Sequence, residues 1–181
     1  MTGFNFICET VQQMKKKYDE SDPFQVCKEM EIPVLYASMG TGDACCKGFF
    51  FPHSRIRTIT INSDLSRDIQ RIICSHELGH AVLHRKCTGV KAFHDFALFD
   101  TASKYEYEAN IFAAEFLLPD SNVLEVLNGD LSFFQAAAAL YVPAEILDFK
   151  FRIMKQKGYA LVDPPIITNG NFLKNIDIPI N

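Results

Sequence analysis

The sequence predicts a single domain of the α+β class, in which a small sheet of three or more strands packs on a long helix and further helices follow. Three observations predict this class. The 181 residues are enough for one compact body that buries about two-thirds of its unfolded surface. Three short runs rich in Val, Ile, Phe, Tyr and Thr lie close together between residues 33 and 61. After residue 62 the apolar period changes from two residues to the helical period of about 3.6.

Composition and charge exclude several classes of protein. The hydrophobic fraction of 48% and the charged fraction of 22% are ordinary for a soluble globular protein. A net charge of −4, with one basic run at residues 15–17, argues against a general affinity for nucleic acid. The sequence has no apolar stretch of about 18 residues and no secretory pattern at its start, so we expect no membrane association and a cytoplasmic location.

The six cysteines are scattered, without the paired spacings of a structural zinc site or the density of a disulfide scaffold. We therefore expect them to be reduced thiols. Cys45 and Cys46 are adjacent, and a redox or metal role for this pair is the open alternative.

Two helices and three strands are predicted before residue 62. The helices span residues 10–18 and 23–30, and Asp22 can cap the second because proline is favoured at the first helical position. The strands are predicted over residues 33–37, 46–51 and 56–61, between Gly, Pro and Ser. Residues 57–62 alternate at period two, which is typical of a strand with one face solvated or lining a cleft.

Five helices are predicted after residue 62. An apolar stripe from Leu65 to Leu83 marks the first, and either Asp64 or Ser66 can cap its start. A connection over residues 88–101 leads to a helix over 103–118 that Pro119 ends. Shorter helices are predicted over residues 122–127, 131–140 and 144–157. The Pro-Pro and Asn-Gly pairs that follow indicate a tail, so the predicted domain spans residues 1–157 and the tail residues 158–181.

The segment His76-Glu77-Leu78-Gly79-His80 lies on the first of these later helices. Histidines four residues apart on a helix are offset by about 40° around the axis and about 6 Å along it, so both imidazoles can reach one tetrahedral zinc ion. Glu77 points about 100° away, where it can hydrogen-bond a water on the metal and act as the general base. Two core histidines are the alternative interpretation. The ligand spacing, and the room that Gly79 leaves for a close neighbour, favour the metal site.

A third metal ligand is expected on another element, because a catalytic zinc site has three protein ligands and one open position. On the helix over 103–118, Glu106 lies about 50° from the centre of the apolar stripe and can face inward, where a buried carboxylate needs a cation. Glu108 and Glu115 lie further round the helix, so we expect both to face solvent, although Glu108 is the alternative ligand. Asn110, one turn after Glu106, is placed to orient a ligand.

Two motifs resemble those of the ImmA/IrrE family of metallo-endopeptidases. The first runs from His76 to His84 as HELGHAVLH, and the second runs from Glu106 to Pro119 as EYEANIFAAEFLLP. The residues at 59–62 and 71–73 are also similar, so the likeness covers about residues 23–152. The resemblance implies a zincin-like fold that binds one Zn²⁺ ion through His76, His80 and, by position, Glu106, with Glu77 as the base. It also implies a protein substrate, since members typically act on repressors of mobile elements or stress-response genes.

Three further histidines can contribute to this site. His84 continues the ligand face, and we expect it to orient or pack, because a fourth side chain on the metal would close the site to substrate. His53 and His94 lie in predicted loops, where either could donate to the oxyanion of the tetrahedral intermediate. A surface position without a role is the alternative for both.

Three functions are compatible with these residues. The first is a zinc-dependent endopeptidase that hydrolyses a peptide bond in a regulatory protein, a transcriptional repressor of a mobile element or stress response; the intact Glu77 favours it. The second is a non-proteolytic metal-binding module that sequesters a repressor. The third is DNA binding by residues 131–157, whose two helices resemble a helix-turn-helix. Glu145 and Asp148 favour instead a structural helix pair there, on which a partner protein could dock.

Overall fold

The computed structural model describes residues 3–42, 45–53, 56–84, 100–166 and 168 of the chain. Over these residues the chain forms seven helices and one small three-stranded sheet, which confirms the predicted mixture of elements. In chain order they are α1 (Phe4–Tyr18), α2 (Pro23–Glu29), β1 (Val34–Ala37), β2 (Gly48–His53), β3 (Ile56–Asn62), α3 (Arg67–Leu83), α4 (Asp100–Leu117), α5 (Asp120–Leu127), α6 (Phe133–Ala139) and α7 (Ala144–Gln156).

The sheet has the order β1-β3-β2, with β3 in the middle. β1 pairs with β3 in parallel, whereas β2 pairs with β3 antiparallel. The predicted alternation along β3 is present, because Ile59 and Ile61 are fully buried while Thr58 and Thr60 are partly exposed. The buried face of β3 lies against α3, so the sheet supports the helix that carries the histidines.

Two of the predicted helix caps are present. The carboxylate of Asp22 accepts a hydrogen bond from the backbone N–H of Phe24, and Pro23 is the first residue of α2. The Ser66 hydroxyl accepts a hydrogen bond from the backbone N–H of Ile69, and Ser66 is thereby the N-cap of α3. Asp64, the other residue proposed for that cap, binds the loop after β1 instead. Short polar side chains at these two positions therefore set where α2 and α3 start.

Three helices begin earlier than predicted, and the smallest shift is that of α5, which starts at Asp120 and not at residue 122. α1 starts at Phe4 and not at residue 10, because Ile7 and Cys8 extend the buried stripe that Val11 and Met14 continue. α4 starts at Asp100, inside the connection predicted over residues 88–101. Residues 88–99 of that connection lie outside the described residues.

α3 lies between the sheet and α4, and two glycines allow it to approach both. A Cβ atom on Gly48 of β2 would stand 2.5 Å from Cγ2 of Ile73 in α3. A Cβ atom on Gly79 would stand 3.1 to 3.2 Å from the side chain of Phe112 in α4. The room predicted at Gly79 is therefore used by α4, and it brings the histidine-bearing helix against the helix that carries Glu106.

The C-terminal helices cover the far end of α4, and this overturns one prediction. Glu115, predicted to face solvent, is only 7% exposed. The Nζ atom of Lys150 in α7 lies 2.5 Å from a carboxylate oxygen of Glu115 and 2.5 Å from one of Asp120. The solvent prediction was wrong because it assumed a single buried stripe on α4, whereas α7 buries a second side.

The α6–α7 pair corresponds to the two helices predicted over residues 131–157. Ser132 caps α6 in a reciprocal capping box with Gln135. Most of α7 is buried, and its central cation, Lys150, is fully buried and bound to carboxylates. Because a helix that reads DNA must expose its side chains to a groove, this burial favours the structural interpretation of the pair. No helix in the described part of the chain combines the length and apolar character needed to span a membrane.

Five of the six cysteines fall within the described residues, and all five are thiols that form no disulfide, as expected. Cys27 and Cys74 lie closest, with 3.9 Å between their Sγ atoms in the core. Cys45 and Cys46 are partly exposed, and Nζ of Lys47 donates to Cys45 Sγ at 3.2 Å. Cys87 lies outside the described residues.

Candidate metal centre

The two histidines of the α3 motif converge in the interior of the protein. His76 and His80 are both buried, and their Nε2 atoms lie 3.1 Å apart. The four-residue spacing places one ring above the other on the face of α3 that meets α4. Two aromatic nitrogens therefore face a common point between the two helices.

Glu106 of α4 completes a group of three converging donors. One of its carboxylate oxygens lies 3.3 Å from Nε2 of His76, and the other lies 3.4 Å from Nε2 of His80. Ligands about 2.0–2.1 Å from a tetrahedral zinc ion stand about 3.3 to 3.4 Å from one another. The three observed separations are therefore close to the edges of such a coordination shell. Among the described residues, these three are the group of His, Cys, Asp and Glu side chains that could hold a metal ion.

The hydrogen bond made by Nδ1 of His76 determines which of its nitrogens is free to bind a metal. This atom lies 2.8 Å from Oδ1 of Asn110, one turn after Glu106 on α4. Because a carbonyl oxygen only accepts, Nδ1 of His76 carries a proton, so Nε2 is the nitrogen left for a metal ion at the centre. Asn110 is therefore placed where the sequence predicted, against the far nitrogen of a candidate ligand.

Burial and close contact shift the pKa values of His76, His80 and Glu106. Burial lowers the pKa of His80 to about 4, although the Glu106 carboxylate opposes the shift. Burial also acts to lower the pKa of His76, but the hydrogen bond and charge of Glu106 outweigh it, so the pKa of His76 is raised. In Glu106, burial acts to raise the pKa, but the hydrogen bonds with His76 and His80 hold it well below its usual range. Glu106 is therefore an anionic donor at neutral pH.

Glu77 lies beside this group, buried and incompletely hydrogen-bonded. Its carboxylate accepts from the backbone N–H of Phe50 in β2. Its Oε2 atom accepts no hydrogen bond from the described part of the chain. Burial raises the pKa of Glu77 from its ordinary value of 4.5 to about 7, with the charge of Glu106 adding to the shift and His76 opposing it. A buried acceptor without a donor is costly, so this oxygen fits a site that receives a water or a substrate group.

The predicted solvent exposure of Glu108 is wrong. The sequence predicted a solvated position for it, with a role as alternative metal ligand, but Glu108 is only 4% exposed. Its Oε2 atom lies 3.1 Å from Nε2 of His84, and its carboxylate is not part of the converging group. The solvent prediction failed for the same reason as that for Glu115, because α4 is buried on more than one side.

The remaining predicted residues are placed as follows. His84 ends α3 as its C-cap and lies against His80, with 3.0 Å between the two Nδ1 atoms. His53 is the last residue of β2, so its predicted loop position is wrong; its side chain lies outside the described residues. His94 lies wholly outside them, and the oxyanion role suggested for either residue stays a prediction.

Two features of the site were missed from the sequence. The backbone N–H of Phe50 reaches Glu77 from β2, and the ring of Tyr105 lies 4.7 Å from that of His84. A backbone donor leaves no signal in side-chain identity, so the Phe50 contact could not have been found. Tyr105 precedes Glu106 directly, and an aromatic residue beside a candidate ligand was a signal that could have been followed.

Comparison with known proteins gives a consistent result. The model of the family described as the IrrE N-terminal-like domain matches residues 27–152. The chain is 35% identical over 147 residues to Uncharacterized immunity region protein 2 of Bacillus phage phi105, covering 81% of this chain and 90% of that protein. It is 26% identical over 145 residues to Metallopeptidase ImmA of Bacillus subtilis (strain 168), covering 77% of this chain and 80% of that protein.

Proposed function

We propose that this chain, which belongs to the family of IrrE N-terminal-like domains, is a zinc-dependent endopeptidase that hydrolyses a peptide bond in a regulatory protein. Family membership and the likeness to Metallopeptidase ImmA indicate a metallopeptidase that uses a metal ion. One observation carries the finer proposal. His76, His80 and Glu106 converge at donor separations of 3.1 to 3.4 Å, and beside them a buried carboxylate oxygen of Glu77 has no hydrogen-bond partner in the part of the chain that the structure describes.

The donor set supports zinc as the metal. Two imidazole nitrogens and one carboxylate, with a further position left open, are a common arrangement for catalytic zinc. Such an ion supplies Lewis acidity towards the scissile carbonyl and lowers the pKa of a coordinated water to about 7. We further propose that the helix and sheet around this site have a zincin-like arrangement.

Glu77 is the proposed general base. In the metal-free chain, burial raises the pKa of its carboxyl to about 7, so Glu77 is a stronger base than an exposed carboxylate. Its free Oε2 atom can take a proton from the attacking water and later deliver it to the leaving amine. The hydrogen bond from Phe50 of β2 holds the other side of the carboxylate while it does so.

The proposed substrate is a transcriptional repressor of a mobile element or stress response, cut in the cytoplasm. The family resemblance suggests this substrate class, and one relative is named as a protein of a phage immunity region. The net charge of −4 and the burial of α7 favour a protein over a nucleic acid as partner.

The test uses purified protein loaded with zinc and a candidate transcriptional repressor as substrate. We expect cleavage at one bond, seen as two fragments by mass spectrometry, and a loss of rate of about 100-fold or more in Glu77→Gln with the zinc content unchanged. The matched control is Glu125→Gln, the same change at an exposed position of α5, which should cleave as wild type.

A non-proteolytic module that sequesters the repressor predicts a different result. The repressor would leave its operator without being cut, and Glu77→Gln would release it as well as the wild type does. That outcome would reject the endopeptidase proposal.

A further inference from the structure

A chain of three buried side chains leads away from the candidate metal centre. Nδ1 of His80 lies 3.0 Å from Nδ1 of His84 at the end of α3. Nε2 of His84 lies 3.1 Å from Oε2 of Glu108 on α4. All three residues are buried, and Lys104, which is 48% exposed, stands 3.6 Å from the other Glu108 oxygen at the surface.

The chemistry of these groups determines the direction of each hydrogen bond. A carboxylate oxygen only accepts, so Nε2 of His84 carries a proton and donates it to Glu108. In a neutral imidazole the second nitrogen is then an acceptor, so Nδ1 of His84 accepts from Nδ1–H of His80. The proton of His80 is thereby confined to Nδ1, and its Nε2 atom presents a lone pair towards His76 and Glu106.

We propose that His84 and Glu108 are a positioning pair that holds His80 in the only neutral tautomer able to bind the metal. The inference rests on the proposed metal site and assigns a role to two residues outside it. His84 cannot act as a fourth ligand in this arrangement, because one of its nitrogens faces His80 and the other faces Glu108. Tyr105 limits rotation of the ring, since its own ring lies 4.7 Å away.

The two candidate histidine ligands are therefore held in different ways. His76 donates to a neutral amide oxygen of Asn110, whereas His80 donates through His84 to the anionic Glu108. A carboxylate at the end of the chain makes the hydrogen bonds charge-assisted and therefore stronger. Partners of this kind change metal affinity by about 10- to 100-fold in other metal sites.

The experiment compares two substitutions of His84 in the full chain. In His84→Leu the acceptor that His84 supplies to Nδ1–H of His80 is removed, so we expect both tautomers of His80 to be populated and zinc affinity to fall by about 10- to 100-fold. In His84→Asn the side-chain oxygen can stand where Nδ1 stood, so we expect most of the affinity to return. Affinity is measured by competition with a chromophoric chelator, and the His80 tautomer of the metal-free protein by ¹⁵N NMR of the imidazole nitrogens.

A second substitution keeps the test decisive if His84→Leu fails to fold. Glu108→Leu removes the far acceptor without touching the metal centre, and we expect about a 10-fold loss of affinity with a mixed His80 tautomer. Glu125→Leu on the exposed side of α5 is its control and should bind zinc as wild type.

The outcomes separate this inference from the proposed function. Wild-type affinity in His84→Leu, or a folded His84→Asn that binds no better than His84→Leu, would overturn the positioning role while leaving the metal site in place. A wild-type protein that binds no zinc would instead reject the proposed function on which the inference rests.

Discussion

Two clusters of charged and polar residues, each with a buried centre, lie towards opposite ends of α4. We call the first the metal cluster; it comprises His76, Glu77, His80 and Glu106. We call the second the ion-pair cluster; it comprises Glu115, Asp120, Lys150 and Lys157. Both join helices that are distant in sequence, but they differ in whether the protein itself supplies the balancing charge.

The ion-pair cluster is complete. Its two carboxylates face two ammonium groups, with Lys150 2.5 Å from both acids and Lys157 2.7 Å from Glu115 and 3.0 Å from Asp120. The metal cluster instead collects the Nε2 atoms of two imidazoles and two carboxylates, and one carboxylate oxygen of Glu77 has no hydrogen-bond partner among the described residues. A buried acceptor without a donor or a cation is costly. The ion-pair cluster meets this need with its own lysines, whereas the metal cluster leaves an acceptor unmatched among the described residues.

The largest expected effect breaks the complete cluster. Lys150→Met leaves the buried carboxylate of Glu115 and the half-buried carboxylate of Asp120 with Lys157 as their one cation in the described part of the chain, so the free energy of unfolding should fall by about 3 kcal/mol. The free energy of unfolding is measured by urea denaturation with a chelator present. The control is Lys155→Met on the same helix, whose partner Asp163 is exposed, and it should cost less than about 1 kcal/mol. Equal losses in the two variants would remove the distinction that the comparison draws.

A somewhat smaller effect concerns the metal cluster. Glu106→Ala removes the one carboxylate that contacts both histidines, so zinc affinity should fall by about 100-fold or more, equivalent to about 2.7 kcal/mol. Metal analysis after dialysis against a buffered zinc solution measures it, with His76→Ala as the positive control. Full zinc content in Glu106→Ala, together with loss in Glu108→Ala, would transfer the ligand role to Glu108.

The smallest effect is a pH dependence of the metal-free protein. The pKa of Glu77 is about 7 in the folded chain and about 4.5 when unfolded, so the native state holds this proton more tightly. The stability it contributes is present below about pH 4.5 and is lost as the pH rises through about 7. Wild type should therefore lose stability relative to Glu77→Gln as the pH rises from 4.5 to 8. A difference between the two proteins that does not change with pH would show that Glu77 is not buried as described.

Local sequence accounts for much of the fold and of the candidate site. The four-residue spacing of His76 and His80 places both rings on one face of a helix, because the helical period is about 3.6 residues. Caps at Asp22 and Ser66 were predictable since a short polar side chain before an apolar stripe binds the first free N–H groups. Such features depend on residues within about four positions of each other.

The sequence by itself therefore determined the helix that carries the histidines, the position of Glu77 on it, and a choice between Glu106 and Glu108 for the third ligand. Only the tertiary structure shows where these two acids point: Glu106 faces the histidines His76 and His80, whereas Glu108 faces His84. It also decided that Glu115 is buried, because α7 comes from about 30 residues further along the chain to cover it. A single periodic stripe describes a helix with one neighbour, whereas α4 has neighbours on several sides.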